Sequence, residues 1–121
     1  MKYETLYEEF ARRFPDDKQR LEEIAKTASA EPSDGMHIMF GMVVVPFLME
    51  LLKNNDEKKL NTAFAFFEQM AETDNPMISE VLEFTILEDI ISRGKDILAE
   101  FKPYMKRKTL ESCFAVEKYM M

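Results

Sequence analysis

The sequence has no tryptophan, only one cysteine, one histidine and three glycines. A single cysteine excludes a disulfide within the chain, and with one histidine it argues against a zinc cage of thiolates and imidazoles. No glycine-rich phosphate loop, GxSxG elbow or HExxH motif occurs. Because these signatures mark the commonest enzyme classes, we predict a protein that is not an enzyme and that needs no cofactor and no metal.

Long apolar runs are also missing. The N-terminus, MKYETLYEEF, has no apolar segment of the kind that a secretory signal contains. The most apolar run covers residues 38–49, twelve residues interrupted by Gly41 and Pro46, whereas a membrane-spanning helix needs about 20. We predict a buried core helix at this run, a cytoplasmic location and no membrane partner.

Basic residues are scarce in the middle of the chain. Residues 61–100 hold two basic and nine acidic side chains, a net charge of −7 that equals the net charge of the whole sequence. Most such runs are solvated faces, but a concentration of this size also favours a basic partner. The one basic cluster, Lys106-Arg107-Lys108, is too small for a nucleic-acid footprint. We predict that it pairs with the acidic middle of the same chain or builds a dimer contact.

Apolar residues recur at helical spacing along most of the chain, with ten phenylalanines and ten methionines to fill a core. This pattern predicts an all-α fold in a single domain over residues 1–121, an orthogonal bundle or HEAT-like array of six or seven antiparallel helices. Residues 1–30 would form an N-terminal helix pair and residues 34–121 the rest of the core. The expected helices cover residues 2–13, 16–28, 34–53, 57–71, 76–91, 95–102 and a last segment from 109.

Local signals set several of these boundaries. Asp34 and Thr109 are favourable N-caps for the third and seventh helices. Asn75 caps the fifth, with Pro76 at its first position. The fourth helix begins after Asp56.

Pro46 lies inside the third helix and disfavours helical geometry at Val45, which predicts a kink or a break near residues 44–46. The β-branched residues 43–45 also permit a short strand, although the spacing on both sides favours helix.

The helix at residues 76–91 is apolar nearly all round. A helix with this pattern is normally covered by its neighbours, so we predict that it is central and the most buried element. Phe84 and Leu87 should then be among the best-packed side chains. Glu83, between Leu82 and Phe84, must be paired, hydrogen-bonded or placed at the rim of an interface.

Reactive side chains do not form a recognisable constellation. His37 and Cys113 are far apart in sequence, and we interpret them as a packed histidine and a core thiol. Glu80 and Glu83 have the spacing of a di-iron ligand pair but lack its histidine, and a metal site would require them or Glu88 to converge with His37. The acidic residues suit a partner surface better, and we predict that this surface contains Glu72, Asp74, Glu80 and Glu83.

Residues 34–120 resemble a small, uncharacterised family of bacterial helical domains. Four segments carry the resemblance, namely FGMVVVPFLMELLKNN, FAFFEQMAETDN, EVLEFTILEDI and FKPYMKRKTLESCFAVEKYM. These are packing and capping patterns, and none is catalytic. The sequence departs from the pattern at Lys106-Arg107-Lys108, where a Gly-Pro-like turn is expected.

Such domains are similar to immunity proteins of polymorphic toxin systems, which bind and neutralise a cognate toxin. The resemblance therefore implies a non-catalytic protein whose acidic surface binds a basic toxin domain, often a nuclease. The alternative is a helical adaptor that holds a peptide or a second copy of itself, so that a homodimer stays possible. Fold alone does not decide between these functions.

Overall fold

The computed structural model describes residues 1–120, and these form an all-α domain in which no strand occurs. Seven helices follow one another in this part of the chain, as predicted. Two of them, α3 and α5, contain π-helical segments, and short 3₁₀ turns precede α2 and α3 and follow α6. The helices are α1 (Leu6–Ala11), α2 (Lys18–Thr27), α3 (Met36–Lys53), α4 (Glu57–Glu72), α5 (residues 76–92), α6 (Lys95–Phe101) and α7 (Arg107–Met120).

Two helix starts follow the expected capping chemistry. The Asp56 side chain accepts a hydrogen bond from the Lys59 amide at 3.2 Å, which caps α4. Asn75 accepts one from the Met77 amide at 2.9 Å, and Pro76 occupies the first position of α5. The sequence signals at these two helix starts therefore predicted the structure correctly.

Two other predicted caps are wrong. The Asp34 carboxylate accepts a hydrogen bond from the Glu31 amide at 2.8 Å, so it closes the preceding 3₁₀ turn. The residue that precedes α3 is Gly35, whose φ of +102° is a conformation that glycine adopts without strain. Thr109 does not begin α7 either, because that helix already starts at Arg107.

Helix α3 is continuous across Pro46, so the predicted break is absent. Val45, the residue before the proline, keeps φ −61° and ψ −48°, which are α-helical values. The irregularity lies just upstream, where Phe40–Val44 form a π-helical segment and the Val45 amide donates to the Phe40 carbonyl. The wider π turn accommodates the helix next to a residue that cannot donate a hydrogen bond. Residues 43–45 are buried helix and not strand.

Aromatic side chains form the centre of the core. The Phe10 ring lies 5.0–5.9 Å, centroid to centroid, from four other phenylalanine rings. They come from the segment after α1, from α3 and from α4, namely Phe14, Phe40, Phe66 and Phe67. All five rings are buried. Phe10 therefore joins the N-terminal helix to the main part of the bundle.

Helix α5 is central, with α3, α4, α6 and α7 packed around it. It is not the most buried helix, since α3 buries nine residues and α5 buries six. Leu87 is fully buried as predicted, but Phe84 is 49% exposed. Phe84 lies in the π-helical segment Val81–Leu87 and shares one helical face with Met77 and Glu80, which are exposed as well.

We expect Phe84→Ala to change the free energy of unfolding by about 1 kcal/mol or less, because removing a half-exposed ring leaves no internal cavity. Urea denaturation followed by circular dichroism measures this change. A loss comparable to that of a buried phenylalanine would contradict the position of Phe84 at the surface.

Candidate functional site

The four carboxylates predicted to meet a partner lie around the α4–α5 turn and the first half of α5. Glu72 ends α4, Asp74 lies in the turn, and Glu80 and Glu83 follow on α5. Glu83 is half-buried and the other three are exposed. On α5, Glu80 and Glu83 are about one turn apart. The structure thus places two carboxylates at the turn and two on the adjoining helix.

These four carboxylates have no cationic side chain within 4.0 Å among residues 1–120. Several acidic groups elsewhere do have such partners, for example Glu50 with Arg20 at 2.6 Å and Asp17 with Lys59 at 2.8 Å. Glu83 also makes no side-chain hydrogen bond within the described residues. Of the three environments that the sequence allowed for Glu83, an ion pair and a side-chain hydrogen bond do not occur within residues 1–120, and a position at the rim of an interface stays a prediction.

An exposed aromatic pair lies beside these carboxylates, and the sequence did not predict it. Phe84 of α5 is 49% exposed and Tyr119 of α7 is 72% exposed. Their ring centroids are 6.0 Å apart in an edge-to-face arrangement. Met77, one further exposed residue of α5, precedes Phe84 by seven positions. An exposed aromatic pair next to unpaired charge is typical of interaction surfaces.

A groove of about 350 Å³ opens next to the aromatic pair, between α3, α5 and the end of α7. It is lined by Gly41, Phe84, Thr85, Glu88, Asp89, Ser92 and Met120. A Cβ at position 41 would lie 3.2 Å from Cγ2 of Thr85, so glycine allows α3 and α5 to approach closely here. We refer to these seven lining residues as the α5 groove.

His37 and Cys113 occupy separate environments. His37 is exposed, contrary to the packed position predicted for it, and its Nδ1 forms a hydrogen bond with the Thr85 hydroxyl. Cys113 is buried as predicted, with Sγ 3.6 Å from a Glu117 carboxylate oxygen. Burial, reinforced by the negative charge of Glu117, raises the pKa of the Cys113 thiol to about 11. The thiol is therefore protonated near neutral pH and is a poor nucleophile.

No group of three histidine, cysteine, aspartate or glutamate side chains within residues 1–120 is arranged to hold a metal ion. Glu80, Glu83 and Glu88 lie along α5, and His37 bonds to Thr85. The described residues thus offer no convergent ligand set of the kind that the sequence left open.

The predicted pairing of the basic cluster with the acidic middle is found only in part. Arg107 and Lys108 lie 3.7 Å and 3.9 Å from the Glu111 carboxylate, which belongs to α7 and not to the acidic middle. The acidic middle contributes Glu68 of α4, which accepts hydrogen bonds from the backbone amides of Lys108 and Thr109 at 3.0 Å and 2.9 Å. The Thr109 hydroxyl donates to the same carboxylate at 2.9 Å. Glu68 therefore caps the start of α7 from another helix.

The electrostatics of Glu68 follow from this geometry. Partial burial alone would raise its pKa, but the two amide hydrogen bonds, the Thr109 hydroxyl and the nearby Lys106 charge outweigh it and lower the pKa. Thr109 is fully buried, so its hydroxyl depends on this acceptor. A carboxylate that reaches across forty residues leaves no local sequence signal, which is why this cap was not predicted.

Helix α3, at 18 residues, is long and apolar enough to cross a membrane by length and composition alone, and half of it is buried inside the domain. The core helices of soluble proteins have the same properties, so this finding is weak evidence for a membrane segment.

These features define a small all-α domain with an exposed acidic and aromatic face on its central helix. Residues 7–120 match the family described as Domain of unknown function (DUF7674), and the chain belongs to that family. The match begins in α1 and extends to the end of α7. No curated protein and no solved structure matches the chain.

Proposed function

We propose that this protein is a non-catalytic binding protein, an immunity protein that neutralises a cognate toxin by stoichiometric binding. It would act in the cytoplasm, without a cofactor, through the acidic surface formed by Glu72, Asp74, Glu80 and Glu83. The observation that carries the proposal is that all four carboxylates lack a cationic partner among residues 1–120 and follow one another from the end of α4 through the turn into the first half of α5.

Unpaired surface carboxylates support fast capture of a basic protein. Charge complementarity steers the encounter of two proteins and raises the association rate, and it disfavours acidic competitors. A toxin that acts on nucleic acid has a cationic cleft for its polyanionic substrate, and an anionic face can occupy such a cleft. The specific class of toxin inhibitor rests on the resemblance stated above, whereas the binding role also rests on the geometry.

The proposal is tested with the product of the gene immediately upstream of this one, where an immunity gene's toxin partner is expected. That product should arrest growth when expressed alone, and co-expression of this chain should restore growth. The purified proteins should form a complex with one copy of each, and inhibition should be complete at about equimolar amounts if the complex is tight. An upstream gene product that does not arrest growth, or that this chain does not bind, would count against the immunity function.

Reversal of charge at the turn should slow complex formation. We expect Glu72→Lys combined with Asp74→Lys to lower the association rate constant by about tenfold or more at low ionic strength. The effect should shrink at high salt, where the screening length falls to about 3 Å at 1 M. Stopped-flow measurements at several salt concentrations give both quantities.

The matched control for that experiment is Glu22→Lys combined with Glu23→Lys. These two exposed residues of α2 lie outside the acidic middle, and the change in net charge is the same. Equal slowing by both pairs would show that only overall charge matters, and the turn would then have no special role in binding.

A self-associating adaptor is the second candidate function. It is favoured by the presence of both an unpaired acidic face and an exposed basic segment at residues 106–108 on the same chain, because two copies can then meet through opposite charges. Sedimentation equilibrium distinguishes the two candidates: a stable dimer that dissociates in high salt favours self-association, and a monomer favours a different partner.

A further inference from the structure

We infer that the α5 groove is a binding site for an arginine side chain presented by a basic segment of the protein partner. This inference rests on the proposed function, because it names the chemical group that would be recognised beside the acidic surface. It concerns different residues, however, and can be tested without any partner protein.

The size and shape of the groove suit one side chain. Its volume of about 350 Å³ is near the lower end of the range for clefts that hold small ligands, about 300–1,000 Å³. The floor is formed where Gly41 allows α3 to approach Thr85 closely. The Phe84 ring and Met120 provide apolar walls along which the methylene groups of an extended side chain can pack.

The charges that line the groove favour a cationic ligand. Two carboxylates line it, and one of them, Asp89, already pairs with Arg93 at 2.7 Å. The hydroxyl of Ser92 donates to the Asp89 carbonyl, and that of Thr85 bonds to His37. Glu88 is half-buried and has no ion pair within residues 1–120. Glu88 is therefore the lining carboxylate that is available to a ligand.

The aromatic pair favours a guanidinium over other cations. Phe84 and Tyr119 expose 49% and 72% of their surface with ring centroids 6.0 Å apart. A planar guanidinium stacks on an aromatic face and can still donate two hydrogen bonds to a carboxylate, whereas a lysine ammonium is compact and more strongly hydrated. A metal ion is disfavoured, since one available carboxylate is too few ligands.

The experiment uses the full-length protein and N-acetyl-arginine amide as the probe, followed by two-dimensional amide NMR. We expect saturable shifts of resonances at Phe84, Glu88 and Tyr119. N-acetyl-citrulline amide has nearly the same shape without the charge, and it should bind about tenfold more weakly, since cation–π and exposed ion-pair contributions together have that size. N-acetyl-lysine amide should bind with intermediate affinity.

Variants locate the site. Glu88→Gln and Phe84→Leu should each weaken arginine binding several-fold, with unchanged circular dichroism. The matched control is Phe114→Leu, which alters another exposed aromatic residue, one that lies beneath the Lys102 ammonium. Equal affinity for the citrulline probe, shifts spread over all acidic surfaces, or no shifts at high probe concentration would each overturn the inference. A dimer that Phe84→Leu dissociates would assign the groove to a second copy and also overturn it.

The two proposals fail separately. If the upstream product forms a complex that depends on Glu72 and Asp74 while the arginine probe does not bind, the groove assignment is wrong and the immunity function stands. If the probe binds at the α5 groove and the upstream product is not a toxin, the site stands and the immunity function is wrong.

Discussion

Phe10→Ala should lower the free energy of unfolding by about 3–5 kcal/mol, the usual cost of replacing a buried phenylalanine. The Phe10 ring is fully buried and meets four other phenylalanine rings, which come from the segment after α1, from α3 and from α4. Its removal leaves a cavity between three parts of the chain, and small rigid helices cannot collapse fully to fill it. Since native domains are stable by about 5–15 kcal/mol, this variant should be close to unfolding.

Urea denaturation followed by circular dichroism measures this effect, and Phe84→Ala is the matched control because the same side chain is removed from a half-exposed position. The urea concentrations at which the two variants are half unfolded should differ widely. If Phe10→Ala and Phe84→Ala were equally destabilising, the aromatic cluster would not be the centre of the core. A weaker dependence of the unfolding free energy on urea concentration would instead indicate that α1 detaches separately from the rest of the domain.

Glu68→Gln should destabilise the protein by about 1–3 kcal/mol at neutral pH, because a buried hydroxyl or a helix amide then loses its charged acceptor. The carboxylate receives three hydrogen bonds at 2.9–3.0 Å from Lys108 and Thr109. A glutamine oxygen can retain some of these bonds, but the glutamine amide group cannot accept the others. Glu100→Gln, an exposed site with the same change in charge, should have little effect.

The pH dependence of Glu68 gives a second, independent measurement. Since the pKa of Glu68 is lowered in the folded state, its contribution is fully present above the unfolded pKa of about 4.3. It is lost as the pH falls through the lower, folded pKa, where the carboxyl becomes neutral like glutamine. The difference in stability between the native protein and Glu68→Gln should therefore close at acidic pH. A difference that stays constant down to low pH would show that Glu68 acts through packing and not through its charge.

Local signals in the sequence predicted most of the fold. The helical periodicity gave seven segments whose ends agree with the structure within a few residues, and Asn75-Pro76 marked the start of α5. The signals failed where a neighbouring turn or a distant contact decides the outcome. Val45 remains helical before Pro46 because the preceding π turn accommodates the proline, and Thr109 is held by Glu68, forty-one positions away.

The candidate site was predicted only in part. Counting charges along the sequence found the acidic residues around the α4–α5 turn, because carboxylates are almost never fully buried. It did not find the aromatic pair, because apolar residues nearly all round α5 predicted that its neighbours cover every face of the helix. The α5 groove also requires Gly41 and Met120, whose proximity to α5 depends on how three helices pack. The one available signal for Phe84 was its spacing of four residues from both Glu80 and Glu88, which places it between two carboxylates on one helical face.

The π-helical segment in α5 also bears on how a surface with an exposed aromatic residue can arise. A π turn is equivalent to an α-helical turn that has gained one residue, so the direction of Phe84 depends on the length of the segment as well as on the side chain. A single-residue deletion within 81–87 would remove this extra residue and restore regular winding, so the later side chains of the helix would keep their faces while those inside the segment would turn by up to about 100°, the angle per residue of an α-helix. In this helix, an indel can therefore create or erase an exposed aromatic residue without any substitution at position 84.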